Sequence, residues 1–282
     1  MKPLSALDRG VPQVMGILNV TPDSFSDGGL FFSGSKLLLD RCTARAEEMV
    51  RQGASLVDVG GESARPGAAT VSVQEEMDRV LPVIEALRGI DAVVSLDSST
   101  PEVMEAASRL GIGLINDVRA LRREGAMAVA AKSGLPVCLM HMQGEPDSMQ
   151  ERPEYRDVVQ EVAQFLQGRM EACVAAGIDR SRLLLDPGFG FGKRVEHNVA
   201  LLAGLDRMGE LGQPLLVGFS RKSMLVHLLG ERTMAERLAG SLALAVLAVE
   251  RGAWIVRAHD VRETVDAIRV ASVVALNKSR GR

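Results

Sequence analysis

Apolar residues recur along the chain in short runs that end on polar side chains. Eight stand out: VMGILN (14–19), SLVDVG (55–60), AVVSLD (92–97), GLIND (113–117), PVCLM (136–140), RLLLD (182–186), LLVGF (215–219) and AWIVR (253–257). Each is β-branched or Leu-rich on both faces and predicts a strand buried on both sides. Between them lie segments of helical period, among them LLLDRCTARAEEMVRQG (37–53), EEMDRVLPVIEALRG (75–89) and PEVMEAASRLG (101–111), each closing on Gly, a common helix stop. Strands recur about every 34 residues, room for one strand, one helix and two loops. The pattern predicts an α/β protein with parallel strands closed into one (β/α)8 TIM barrel over 14–276, a doubly wound open sheet being the alternative. Residues 1–13 read as an N-terminal arm and 277–282 as a C-terminal tail, with no low-complexity linker between units.

Composition narrows the function. Lys+Arg 33 against Asp+Glu 36 gives the 282 residues a formal net charge of −3, so charge offers no argument for nucleic acid or an anionic membrane as partner. One Trp, one Tyr and seven Phe supply no base-stacking platform either. Hydrophobic residues at 46 % and charged residues at 24 % suit a folded globular chain. Cys42, Cys138 and Cys173 are odd in number, without a C-x-x-C or a histidine at ligand spacing, which argues against disulfides and zinc. The apolar run LAGSLALAVLAV (238–249) is shorter than the ~20 residues that span a bilayer and predicts a buried helix. A cytoplasmic protein is expected.

Chemistry in such folds gathers beyond the C-terminal ends of the strands. There the sequence offers Asn19, then Asp58, Glu62 and Arg65, then Asp97, then Asn116 and Asp117, then His141, Asp186, Ser220 with Lys222, and Arg257 with His259. Some of these would cap helices or close turns, but an inert scaffold needs no polar residue after every strand. Lys222, Arg257, Arg65 and His259 suit a polyanion such as pyrophosphate. SRKS (220–223) and Arg257 fall after strands seven and eight, the usual phosphate region of a barrel. Asp97, Asn116 and Asp186 offer acceptors and an amide suited to the donor-rich edge of a flat heterocycle. The structural alternative for Asp97 and Asp186 is ion pairing with the cations just named.

Other readings fail. DPGFGFGKR (186–194) has Pro187 where a P-loop needs its first Gly and Lys193 where a dinucleotide fingerprint needs its last, and it reads as a mobile loop. TPDSFSDGG (21–29) and GGESARPGAA (60–69) are long and turn-rich, as active-site loops often are. Ser220 lacks the trailing Gly of a nucleophile elbow. His141 and His259 could move protons, with a packed side chain as the alternative for His141, whereas His197 and His227 read as surface or packing residues.

The chain resembles the bacterial dihydropteroate synthase family in MGILNVTPDSFSDGG (15–29), DVGGESARPGA (58–68), VSLDSSTPEV (94–103), INDVRAL (115–121), CLMHMQG (138–144), LLLDPGFGFGK (183–193), LLVGFSRKSM (215–224) and RAHDVRETV (257–265). The resemblance implies a TIM barrel, usually dimeric, that joins 6-hydroxymethyl-7,8-dihydropterin pyrophosphate to p-aminobenzoate, in folate synthesis, with Mg2+ and with sulfonamides as inhibitors. It implies that Asp97, Asn116, Asp186, Lys222 and Arg257 hold the pterin, and that Asn19, Arg65, Arg257 and His259 hold pyrophosphate, Asn19 also ordering Mg2+. Phe25, Ala64, Pro66, Phe191, Ser220 and Lys222 would border the aminobenzoate, and Asp97, Lys222 and Arg257 form the expected catalytic set.

The chemistry fits. An arylamine is unprotonated at neutral pH and needs no strong base, so the difficult step is departure of pyrophosphate, eased by positive charge. An SN1-like displacement is expected, with Asp97 stabilising the cationic pterin methylene. Two positions depart from the family pattern: Ala64 stands where a Thr is common, and Thr100 where a Lys is frequent. Two rivals share the fold, a methyltetrahydrofolate-type methyltransferase and a paralogue that binds pterin without condensing it. SRKS and RPGA argue against the first, and Ala64 keeps the second open.

Overall fold

Strands form where the apolar runs predict them. The computed structural model describes residues 1–22, 31–33, 36–63, 71–144, 149 and 153–280. Its principal strands are β1 (Gln13–Asn19), β2 (Leu56–Gly60), β3 (Val93–Asp97), β4 (Leu114–Asp117), β5 (Val137–Met140), β6 (Leu183–Asp186), β7 (Leu215–Gly218) and β8 (Ala253–Ala258). Each pairs in parallel with the next and β8 pairs with β1, so the sheet closes into a barrel rather than remaining open.

The helices are α1 (Leu39–Arg51), α2 (Val73–Ala86), α3 (Pro101–Arg109), α4 (Ala126–Ser133), α5 (Val158–Ala175), α6 (Val195–Ala203), α7 (Asp206–Gly209), α8 (Met224–Leu229), α9 (Leu238–Glu250) and α10 (Val261–Arg280). Local chemistry sets their starts. Ser72 Oγ accepts the Glu75 amide at 3.2 Å, Asp157 Oδ1 accepts those of Val159 and Gln160 at 3.0 Å, and Pro101 opens α3 with its φ already set. α1 begins at Leu39 rather than 37 because Leu37 pairs with Phe32 in a small antiparallel ribbon, Phe32–Ser33 with Lys36–Leu37. The apolar run at 238–249 lies in α9, which buries Ser241, Leu244, Ala245 and Ala248 at helical spacing.

Alternation along each strand divides the interior. Val57, Val94, Ile115, Leu139, Leu185 and Val217 face outward into the cluster shared with the helices. Their neighbours Leu56, Val93, Leu114, Cys138, Leu184 and Leu216, with Met15 and Ile255, form a second cluster inside the barrel. Burying each such side chain contributes about 1.5–3 kcal/mol. The N-terminal segment 1–13 packs against this floor through a few contacts: Leu4, 5 % exposed, joins the interior cluster, the Lys2 amide donates to Ala92 O at 2.9 Å, and Trp254 Nε1 donates to Asp8 O at 3.0 Å. At the other end α10 continues past residue 276 to Arg280.

Candidate active site

The period of two that builds the apolar floor also builds the site. Two residues beyond Leu56, Leu114, Leu184 and Ile255 stand Asp58, Asn116, Asp186 and Arg257, on the same interior face and nearer the C-terminal mouth. Two beyond Ser95 stands Asp97, whose register partners are Gly60 and Asn116. Arg257 crosses the barrel to join them. Its Nε donates to Asp58 Oδ2 at 2.6 Å, its Nη2 donates to Asp97 Oδ2 at 2.8 Å, and Asn116 Nδ2 donates to Asp58 Oδ2 at 3.1 Å. The ion pair considered as the alternative for Asp97 is therefore present. Asp186 instead accepts the Gly188 amide at 2.7 Å.

Burial governs the charges. It pushes the Asp97 carboxyl up to about 7 despite the opposing pull of Arg257, with Asp58 and Asp117 adding repulsion. Asp186 is likewise raised by burial, with Lys222 opposing. Burial lowers the Lys222 amine to about 8, against the attraction of Asp186. For Arg257 burial acts downward, but Asp58 and Asp97 outweigh it and hold the guanidinium charged.

DPGFGFGKR is a bonded turn rather than the mobile loop its glycines suggest. Gly188, Gly190 and Gly192 adopt φ of 70°, 80° and 57°. A Cβ on Gly188 would lie 1.9 Å from His141 O, and one on Gly192 would lie 2.5 Å from Gln143 O, so the turn seats backbone to backbone against the segment after β5. Asn198 Oδ1 accepts the Gly190 amide at 2.7 Å and Tyr155 donates its hydroxyl to Gly192 O at 2.8 Å. Lys222 reaches the turn from β7, donating to Phe189 O, with its Nζ 4.8 Å from the Phe191 ring centre.

The remaining expected residues gather nearby or fall elsewhere. Ser220 Oγ accepts the His259 amide at 3.1 Å and lies 3.0 Å from His259 Nδ1, joining the loops after β7 and β8. Arg221 turns away to Asp260 at 2.5 Å. Asn19 ends β1, its Oδ1 3.6 Å from where a Gly60 Cβ would stand. Phe25, Ala64, Arg65 and Pro66 lie outside the described residues. Asp117 has a structural role: it accepts from Ser99 Oγ and from the amides of Arg119 at 2.8 Å and Leu121 at 2.7 Å, closing the turn where Ala120 and Leu121 take positive φ. Thr100 bridges buried Glu76 and Arg123, with 2.7 Å on either side.

Asp58, offered by the sequence as a strand-end polar residue but given no role there, holds Arg257 and Asn116 from a fully buried position. The signal existed, a lone carboxylate two residues past Leu56 in an otherwise apolar strand. For Mg2+, no group of three or more His, Cys, Asp or Glu side chains suited to a metal occurs among the described residues. Asn19 offers one neutral oxygen at the mouth, a donor set that suits an ion held mainly by substrate phosphates and water.

Comparison with known proteins agrees with this geometry. A family model described as pterin binding enzyme matches residues 15–259. The dihydropteroate synthase of Escherichia coli (strain K12) is 51 % identical over 279 residues, covering 99 % of this chain and 97 % of the relative. The crystal structure of Yersinia pestis dihydropteroate synthase with a sulfonamide drug complex superimposes with a TM-score of 0.91 at 52 % identity, covering 95 % of this chain and 96 % of that one. That of Xanthomonas albilineans dihydropteroate synthase with 4-aminobenzoic acid gives 0.87 at 49 %, covering 95 % and 94 %. By its fold, its interior polar layer and these near full-length matches, the chain belongs to the pterin binding enzyme family.

Proposed function

We propose that the chain condenses 6-hydroxymethyl-7,8-dihydropterin pyrophosphate with p-aminobenzoate, giving 7,8-dihydropteroate and pyrophosphate. The observation that carries this reading is the convergence of Asp97, Asn116 and Asp186 with Arg257 and Lys222 at one mouth of a pterin-family barrel. The acceptors suit the amino-pyrimidine edge of a pterin, a carboxylate taking two parallel N–H bonds as it does from guanidinium. On this reading Arg257 would stack on the ring, and Arg257, Arg65, His259 and Asn19 would bind the pyrophosphate. Lys222, Ser220 and Phe191 would contact the arylamine, and Phe25, Ala64 and Pro66 are assigned to the same substrate by the family resemblance alone.

The reaction follows from these charges. The arylamine nitrogen carries its lone pair at neutral pH, so the site needs no general base. The C–O bond to pyrophosphate breaks first, in an SN1-like step. Asp97 stabilises the cationic methylene left on the pterin, and the cations hold the departing anion. The amine then attacks and loses its proton to solvent. Mg2+, when bound through Asn19 and the phosphates, supplies further positive charge to the leaving group.

Sulfonamides would compete with p-aminobenzoate on this reading. The active assembly is a homodimer, supported by apolar residues left exposed on adjacent α9 and α10, Leu247, Val270 and Val274 at 38 %, 67 % and 48 %. The setting is cytoplasmic, in keeping with described helices none of which is long and apolar enough to cross a membrane.

Pyrophosphate release and dihydropteroate formation, followed together with and without p-aminobenzoate, test the proposal. Product that requires the arylamine, and that is lost with EDTA and restored by Mg2+, is the expected result. Tight pterin binding without product would overturn it in favour of a binding paralogue and put the fault at Ala64.

A further inference from the structure

The turn at 188–192 is gripped by two lysines, and the reaction above uses only one. Lys222 takes Phe189 O at the mouth. Lys193 lies behind the turn, 3 % exposed, and its Nζ reaches Gly188 O at 2.9 Å, Phe191 O at 3.0 Å and His141 Nδ1 at 2.9 Å. Gly188 O also accepts the Phe191 amide at 3.1 Å, so Lys193 binds both ends of one tight turn. His141 is itself 5 % exposed, edge-on to Phe165 with ring centres 4.9 Å apart, and fixed by the end of β5.

We infer that Lys193, anchored by His141, is a positioning residue that holds the Phe191 ring and the Phe189 carbonyl where Lys222 meets the arylamine. This rests on the synthase reading of the site. Lys193 is too buried to touch substrate, and two of its three bonds end on backbone carbonyls of the turn that carries Phe191, the third on the His141 ring. A buried amine requires full hydrogen bonding, and three acceptors satisfy an ammonium. Loss of its proton would not break the tie, because a neutral amine can accept from the imidazole Nδ1–H after a tautomer change. Burial lowers the Lys193 amine and, with repulsion from Lys193, takes His141 down to about 2, so the imidazole serves as a neutral partner.

Lys193→Met keeps the stem and deletes all three bonds, whereas His141→Gln removes only the anchor. In steady-state assays Lys193→Met is expected to raise the KM for p-aminobenzoate about tenfold, with kcat and the pterin pyrophosphate KM changed less than about twofold. His141→Gln should move the same parameter less. Amide exchange measured on protein without substrate reads the turn directly: the Phe191 amide should exchange faster in Lys193→Met, while the Leu185 amide, bonded to Pro214 O, keeps its wild-type rate. Unchanged exchange at Phe191, or equal acceleration at Leu185, would overturn the inference, as would both substrate KM values rising together. Wild-type protein without arylamine-dependent turnover would count against the synthase reading instead, and exchange at Phe191 would still decide the Lys193 tie. Should Lys193→Met fail to fold, His141→Gln carries the same tests with a smaller expected change.

Discussion

Burial of Asp97 makes stability depend on pH, and the dependence can be measured. Its carboxyl, with a side chain 17 % exposed, is raised by burial to about 7, against ~3.9 in an unfolded chain. Between those values the folded protein holds a proton that the unfolded chain releases. The sign follows: stability attached to this group is full below the unfolded value and is lost as pH rises through about 7. Linkage puts the loss between pH 5 and pH 8 at about 2–3 kcal/mol. Asp97→Asn cannot titrate, so the loss should vanish from its stability curve. Urea unfolding of both proteins at the two pH values, at one protein concentration and without substrate, measures the difference. Asp117, Asp186 and Glu76, also raised chiefly by burial, are present in both proteins, so their burial contribution cancels, and the repulsion that Asp117 and Glu76 share with Asp97 is counted in the difference. The variant should at the same time lose turnover by about a hundredfold or more, the anion opposite the pterin cation being gone. Equal pH dependence in the two proteins would refute the reasoning, for it would mean that Asp97 is ionised in the folded state well below pH 7.

Asp58→Asn removes a fully buried carboxylate from Arg257 and Asn116; with Asp97 still paired to the guanidinium, a loss of about 2 kcal/mol is expected in urea unfolding, and a stability equal to wild type would count against the pair. Gly188→Ala forces a Cβ to 1.9 Å from His141 O at φ 70°, whereas Gly134→Ala, at φ 72°, meets nothing within 4 Å. The first should cost about 3 kcal/mol and the second about 1, and equal melting temperatures would show that the turn has room to spare.

Much of this was legible because strands buried on both faces leave a strong mark in sequence. The eight runs marked the barrel strands, and polar residues at their ends marked most of the side chains that converge at the mouth. Cross-barrel pairing was not legible. Asp58 and Arg257 are 199 positions apart and meet only because closure of the barrel pairs β8 with β1, whose other neighbour is β2. The glycines of DPGFGFGKR misled for a related reason. Gly signals conformational freedom when its neighbours are ignored, and here it answers a close approach by His141 and Gln143, which come from a distant strand end. The seat of Leu4 was not legible either, since it lies on a floor that exists only after the barrel closes.

Depth in the barrel separates the two carboxylates that share Arg257. A buried ion pair is weak support for stability, since desolvation consumes most of the attraction, so its value here lies in aim. Asp58 is fully buried and spends one oxygen on both Arg257 Nε and the Asn116 amide, which fixes the guanidinium and the amide to one point. Asp97 stands in register with Gly60, two residues beyond Asp58 on β2, and its side chain is 17 % exposed where that of Asp58 is wholly buried. Gly60 presents no side chain there, and a Cβ would come within 3.4 Å of the Asp97 Cβ. A methyl at that position would sit in van der Waals contact with Asp97 and with Asn19 Oδ1. One arginine thus joins a wholly buried carboxylate, which fixes its aim, to a second that retains contact with solvent at the site.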